Sequence, residues 1–529
     1  LSSKQTDMRK TRFTLLFSVG LSLWGGAALA QSQPDPGIVS KIEDQAFNHS
    51  KVMEIAFYLT DANGPRLTNS PGYFRAANWA KDEMAKWGLV NTALEPWGDF
   101  GNGWELHKSY LALKAPYYQP LIAYPKAWTS GTNGPVSGEV VLVNAKDSVG
   151  LEAYRGQLKG KIVIFPNSDT IHPSFDAEAK RYADSDLVKL TTPMPERTRG
   201  PRDSAAMAAF RNRGAFQRQQ AAFLKEEGAL MVLSMSVRGK DGTLFVQGWG
   251  GNAQNQPMAI TDMMLTAEDY HRILRLIQAG IPVKLEGEVQ ASLTEKEQKG
   301  YNVVGEIPGT DPTLKDQLVM LGGHLDSWHG ATGATDNAAG SAVMLEAVRI
   351  LKTLDLHPRR TIRIVLWSGE EEGLFGSRGY VKNHFGDPAT MQLTPEQAKV
   401  SAYYNLDNGS GKIRGVYLQG NEGARPIFAS WLTPFASLGA STLTARNTGS
   451  TDHVSFDAVG IPGFQFIQDP LEYGTRTHHS NMDSYDHLQP DDLQQAAAIV
   501  ATFVYQTSII DSLIPRKELP KPRPAGGPF

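Results

Sequence analysis

The chain has 529 residues, 41% of them apolar and 20% charged, with 51 glycines and 31 prolines, a balance that suits a loop-rich globular protein and excludes disorder, collagen and coiled coil as descriptions of the whole. Its 52 basic and 55 acidic side chains leave a net charge of -3, without the basic excess that nucleic-acid binders carry, so no nucleic-acid partner is expected. The absence of cysteine rules out disulfides, thiolate-held metals and a cysteine nucleophile. Any metal must be held by His, Asp and Glu.

Taken in chain order, the first element is a cleavable export signal over residues 8–30. Arg9, Lys10 and Arg12 precede an apolar stretch over 13–23, and Ala28-Leu29-Ala30 follows before Gln31, the three parts of such a signal. Residues 1–7 read as upstream translation. The stretch falls short of a spanning helix, so the mature protein is expected to be exported, periplasmic or secreted, without a stable membrane anchor. Residues 38–59 and 73–87 carry apolar side chains at three- and four-residue spacing and predict amphipathic helices, separated by turns at Gly64-Pro65 and Ser70-Pro71-Gly72. Between 124 and 292, short β-rich runs at 140–143, 162–165 and 230–233 alternate with loops and a helical stretch at 216–227, which predicts a separate α/β unit. Residues 191–202 inside it read as an exposed loop. From Asn302 onward strands and helices alternate regularly, the pattern of βαβ units around a largely parallel sheet. The Pro-rich residues 515–529 are expected to be disordered.

In this last region, acidic and histidine residues follow the ends of apolar runs. Residues 318–321 lead into Gly322-Gly323-His324-Leu325-Asp326, residues 361–367 into Ser368-Gly369-Glu370-Glu371-Glu372-Gly373, and residues 402–406 into Asp407. Sites of open α/β sheets assemble outside the carboxyl ends of the strands, so these segments are expected to converge. Asp336 stands before a helical pattern and reads either as a helix cap or as a ligand. His478-His479 follows the run 464–467 and reads either as a surface pair or as ligands. Two cations sharing Asp336, one also taking a histidine and Glu371 and the other a histidine and Asp407, would each have three protein ligands and an open edge. Such a pair would bring water towards neutral acidity and polarise a carbonyl. Of the adjacent glutamates, one can ligate while its neighbour serves as general base. Asp326 is expected to orient the His324 imidazole through its carboxylate.

The series Gly-Gly-His324-Leu-Asp326, Asp336-Asn-Ala-Ala-Gly340, Glu370-Glu371-x-Gly373-Leu-x-Gly376-Ser377, Asn405-Leu-Asp407 and His479-Ser-x-x-Asp483-Ser resembles the co-catalytic dizinc exopeptidases, which include secreted bacterial leucyl aminopeptidases and plasma glutamate carboxypeptidase. The resemblance implies two zinc ions, with His324 and Asp407 on one, Glu371 and His479 on the other, Asp336 between them and Glu370 as base; manganese or cobalt would suit the same ligands. His479 is preferred to His478 because only it has the family's spacing to Asp483. Asp452 and His453, in a stretch similar to the family's Ser-Asp-His-x-x-Phe, and Asp483 are given supporting roles. The implied fold is a three-layer α/β/α domain with a mostly parallel central sheet, formed by a helical part over 31–123 and by residues 296–514. The segment 124–295, with Leu158-Lys-Gly160-Lys161-Ile-Val-Ile, resembles an inserted protease-associated α/β domain. The implied activity is hydrolysis of a terminal peptide bond, with peptides or dipeptides as substrates. An aminopeptidase is the leading form, a carboxypeptidase or dipeptidase the alternative, and an inactive receptor of the same fold a third. The preferred terminal residue and the oligomeric state are not legible in the sequence.

Overall fold

Four consecutive apolar residues, Leu318 to Leu321, open a strand buried along its whole length, Leu318–His324, and the strands Val400–Asn405 and Gly463–Gln468 are likewise buried throughout. Strands covered on both faces read as unbroken apolar runs, and they lie at the centre of a sheet. In the computed structural model this sheet has eight strands, in the order Val90–Asp99, Lys299–Ile307, Thr361–Trp367, Leu318–His324, Val400–Asn405, Gly463–Gln468, Ile413–Tyr417 and Thr442–Thr444. The three central pairings are parallel, and antiparallel strands flank them. The structure describes residues 33–192, 204–236, 238–248, 251–253, 257–294 and 297–522.

Side chains alternate across the sheet and so build two cores. Val319, Leu321, Ile362, Ile364 and Leu366 pack with the helices Pro36–Asn48, Val52–Leu59, Ala339–Thr353 and Pro490–Ile509. Leu318, Met320, Val365 and Trp367 face the opposite way, against Tyr380 and Val381 of the helix Phe375–His384 and Phe456. The result is the three-layer α/β/α arrangement that the motif resemblance implies, around the largely parallel sheet expected from the strand and helix alternation.

A second eight-stranded sheet, in the order Gln119–Pro120, Gly103–Ala115, Lys284–Thr294, Val136–Leu142, Ile162–Ile164, Met231–Met235, Asp262–Leu265 and Ala123–Pro125, forms the insert. Its own core gathers Ile162, Ile164, Leu233, Met263 and Ile273. The insert starts at Gly103 rather than at residue 124, because the long strand Gly103–Ala115 pairs with Lys284–Thr294 over its whole length. The preceding segment is correspondingly not all helical: Val90–Asp99 pairs antiparallel with Lys299–Ile307. These two strands carry the chain into and out of the insert, so the main domain is discontinuous.

The start of the Pro-rich tail is held rather than loose. Arg516 donates to the carbonyls of Gln397 and Val400 at 2.8 and 2.7 Å, and Lys517 pairs with Asp457 at 2.6 Å. The export signal over 8–30, most of the loop 191–202 and residues 523–529 lie outside the described residues. Among the described residues, no helix is long and apolar enough to cross a membrane.

Candidate metal centre

Parallel pairing puts the carboxyl ends of the central strands side by side. His324 lies opposite Trp367, and Gly322 opposite Asn405, so His324, the Glu370–Glu372 turn and Asp407 emerge together. The segment carrying Asp336 packs against this edge because Gly340 has no side chain: a Cβ there would lie 2.1 Å from the Leu406 carbonyl oxygen. Asn337 ties the same junction, donating to that carbonyl at 2.9 Å and accepting from Gly340 N at 3.0 Å. Asn337 thus serves the helix start, and the Asp336 carboxylate is left to face the two histidines. The reading of Asp336 as a helix cap is thereby set aside.

Asp336 Oδ1 is 3.2 Å from His324 Nε2, and its Oδ2 is 3.0 Å from His479 Nε2. Asp407 Oδ1 lies 3.4 Å from His324 Nε2 on one side, and Glu371 Oε2 lies 2.9 Å from His479 Nε2 on the other. His478 approaches Asp336 less closely, at 3.7 Å, stacked on Tyr473 with ring centroids 4.6 Å apart. His324, Asp336 and Asp407 each offer a ligand atom within 4.8 Å of the others, as do Asp336, His478 and His479. Four buried atoms of this cluster, His324 Nε2, Asp336 Oδ2, Glu371 Oε1 and Asp407 Oδ1, have no hydrogen-bond partner. Buried polar atoms are nearly always satisfied, so converging lone pairs without donors are what a cation site requires, and nitrogen and oxygen donors suit zinc.

Burial opposes charge on His324, but Asp407, Glu370, Asp326 and Asp336 outweigh it and raise its pKa well above the usual value. Burial likewise opposes charge on His479, and Glu371 and Asp336 overcome it, raising the ring to about 10. Asp336 itself is held well below the carboxylate range, burial being outweighed by His324 and His479. Burial and Asp336 push Glu371 up to about 7. Glu370 is pushed well above its usual range by burial and, against the pull of His324, by Asp407 and Asp452. Its Oε2 stands 3.9 Å from His324 Nε2, beyond a hydrogen bond, at the edge of a cleft of about 580 Å³ also lined by Arg378, Asn408, Thr451 and Tyr473.

The supporting residues divide. Asp483 accepts from the backbone N–H groups of Thr335 and Asp336 at 2.6 and 3.2 Å, which fixes the segment that presents Asp336. Asp326 departs from expectation: His324 Nδ1 meets its main-chain carbonyl at 3.0 Å, while the nearest carboxylate oxygen is 3.7 Å away. That carboxylate instead accepts from Glu371 N at 3.2 Å and contacts the Thr68 hydroxyl at 3.1 Å. Asp452 is fully buried and contributes charge beside Glu370. His453 contacts Gln419 and the Thr448 carbonyl rather than the converging carboxylates, and burial lowers it to about 4.

Three participants had no role in the sequence reading. Glu372 is buried and takes the Thr68 hydroxyl at 2.8 Å. Arg66, wholly buried, donates to the carbonyls of Leu325 and Gly333 at 2.6 and 2.8 Å and so ties the residue after His324 to the segment that leads into Asp336. Gln247, from the insert, reaches His479 Nδ1 at 2.8 Å. A buried arginine next to Gly-Pro could have been suspected from the sequence, whereas a lone glutamine in a loop gives no signal.

Residues 302–504 match the family model described as Peptidase family M28. Carboxypeptidase Q of Homo sapiens is 24% identical over 459 residues, covering 87% of this chain and 85% of that protein. Aminopeptidase YwaD of Bacillus subtilis is 31% identical over 247 residues, 43% of this chain and 52% of that protein. Among solved structures, the Peptidase M28 precursor from Shewanella amazonensis superposes with a TM-score of 0.64 at 24% identity, covering 93% of this chain and 99% of that one. A zinc aminopeptidase from Bacillus subtilis gives 0.53 at 20% identity, covering 86% and 94%. The segment that supplies all the converging imidazoles and carboxylates is therefore the one that matches the Peptidase family M28 model, over residues 302–504.

Proposed function

We propose that the cleft is a two-cation hydrolytic centre that removes a terminal residue from peptides, in the first place as an aminopeptidase, in a protein exported by its leading segment. The observation that carries this reading is the convergence of His324, Asp336, Glu371 and Asp407, each with a buried atom that makes no hydrogen bond. In it His324 and Asp407 would hold one cation and Glu371 and His479 the other, with Asp336 placed to serve both. When bound, such a pair supplies Lewis acidity to a peptide carbonyl and to water. Glu370, at the cleft edge, takes the proton of the attacking water and returns it to the leaving amine. Asp483 holds the backbone that presents Asp336, and the Asp326 carboxylate holds the backbone of Glu371.

A second reading, a carboxypeptidase or dipeptidase on the same centre, is favoured by the carboxypeptidase Q match, which extends over 87% of the chain. Peptides with free ends, N-acetylated peptides and C-amidated peptides separate the two. The amino-terminal reading expects cleavage of the free and amidated peptides and rejection of the acetylated one; cleavage of the acetylated peptide with rejection of the amidated one would replace it by the second.

Cation uptake should also be strongly pH-dependent. His479 at about 10 and Glu371 at about 7 carry protons in the metal-free protein at pH 6, and ligands must be deprotonated to bind. Binding at pH 6 should therefore release protons, and affinity should fall as pH drops below about 10 and more steeply below about 7. Calorimetry in buffers of different ionisation enthalpy measures both effects. An affinity unchanged between pH 6 and 8 would contradict these ligands.

A further inference from the structure

The insert grips the segment that carries His479 by main-chain pairing. Val246 N donates to the His479 carbonyl at 3.1 Å and Asn481 N to the Leu244 carbonyl at 3.0 Å, with a bridge between Phe245 and Ser480. The Asn481 side chain accepts from Leu244 N at 2.7 Å. The run Thr243 to Val246 is buried, so the residue after it starts from a fixed base. That residue is Gln247, whose side-chain amide lies 2.8 Å from His479 Nδ1. On the far side of the ring, Nε2 faces Asp336 and Glu371 at 3.0 and 2.9 Å.

We infer that Gln247 is a positioning residue for His479, so that the insert completes the cation site of the main domain. The inference rests on the proposed reading of His479 as a ligand. An imidazole that ligates through Nε2 carries its proton on Nδ1, and a partner for that proton fixes both the tautomer and the ring plane. A glutamine amide can present either its nitrogen or its oxygen at the same place by a half-turn. The nitrogen stands against Nδ1 in the structure; ligation calls for the oxygen there, accepting from Nδ1–H. His324 has a counterpart within the main domain, the Asp326 carbonyl at 3.0 Å from its Nδ1. For His479 the insert supplies that contact.

The test is zinc binding to the full chain, measured by competition with a chromophoric chelator, with kcat and KM alongside. Gln247→Ala should leave the tighter or weaker site associated with His324 unchanged and weaken the other roughly 10–100-fold, the usual effect of removing the partner of a metal-bound histidine. Gln247→Glu, which keeps an oxygen at Nδ1, should restore affinity and lower kcat much less than the alanine variant does. His479→Ala serves as the reference and should lose one ion. If His479→Ala loses an ion while Gln247→Ala binds both as the parent does, the positioning role is overturned and the ligand reading stands. Retention of both ions by His479→Ala would overturn the ligand reading itself. Equal weakening of both ions in Gln247→Ala without rescue by glutamate would mark a general loosening of the fold and likewise overturn the inference.

Discussion

Replacing Asp336 by alanine should remove both cations together and abolish turnover. Its two oxygens point at different histidines, Oδ1 at His324 and Oδ2 at His479, 3.2 and 3.0 Å away. Without it, one set keeps only His324 and Asp407 and the other only Glu371 and His479. Two protein ligands fall below the three that hold a catalytic zinc, so neither set should retain its ion at micromolar concentrations. Loss of folding is not the expected cause, because the junction is held by Asn337 and Asp483 rather than by the Asp336 side chain. Metal analysis after gel filtration, with a thermal melt as control, reads the result. A folded variant that keeps both ions would remove Asp336 from its position between them.

Glu370→Gln should do the reverse, keeping the ions and losing the chemistry. The Glu370 side chain is beyond bonding distance of His324, at 3.9 Å, and the turn it belongs to is held through its main-chain carbonyl, which accepts from Gly373 and Leu374 at 2.8 and 2.9 Å. Amide for carboxylate therefore changes little but the capacity to accept a proton. Turnover should fall by about 10²–10⁴, the range for loss of a general acid–base, with KM close to the parent value. Near-parental kcat would exclude Glu370 as the base.

What was legible in the sequence followed from local rules. Apolar runs of four to seven residues marked the buried strands, and the acidic and histidine residues directly after them had to emerge at one edge once those strands paired in parallel. His324, Asp336, the Glu370–Glu372 run, Asp407 and the His478–His479 pair could thus be grouped from the sequence, and the motif resemblance then chose His479 over His478 and gave Glu370 and Glu371 their separate roles. Asp326 was harder. A residue two places beyond a histidine can reach the ring with either its carboxylate or its carbonyl, and only the backbone course selects the carbonyl. The insert boundary was misplaced because Gly103–Ala115 mixes charged and apolar residues, with both buried and exposed positions, and lacks the continuous run that announced the central strands. Its strand character depends on pairing with residues 284–294, far away in the chain. Contacts such as Gln247 with His479 join two loops of different domains, and no periodicity encodes them. The tail was judged by its prolines, which disfavour helix and strand but do not prevent Arg516 from finding main-chain acceptors.

The most direct measurement is anomalous diffraction at the zinc edge on crystals of the zinc-loaded protein. Two peaks roughly 3.5–4 Å apart are expected, one at about 2.0–2.2 Å from His324 Nε2 and an Asp407 oxygen, the other at that distance from His479 Nε2 and a Glu371 oxygen, with Asp336 touching both. A single peak in the active protein, or a pair that leaves Asp336 out, would contradict the two-cation centre.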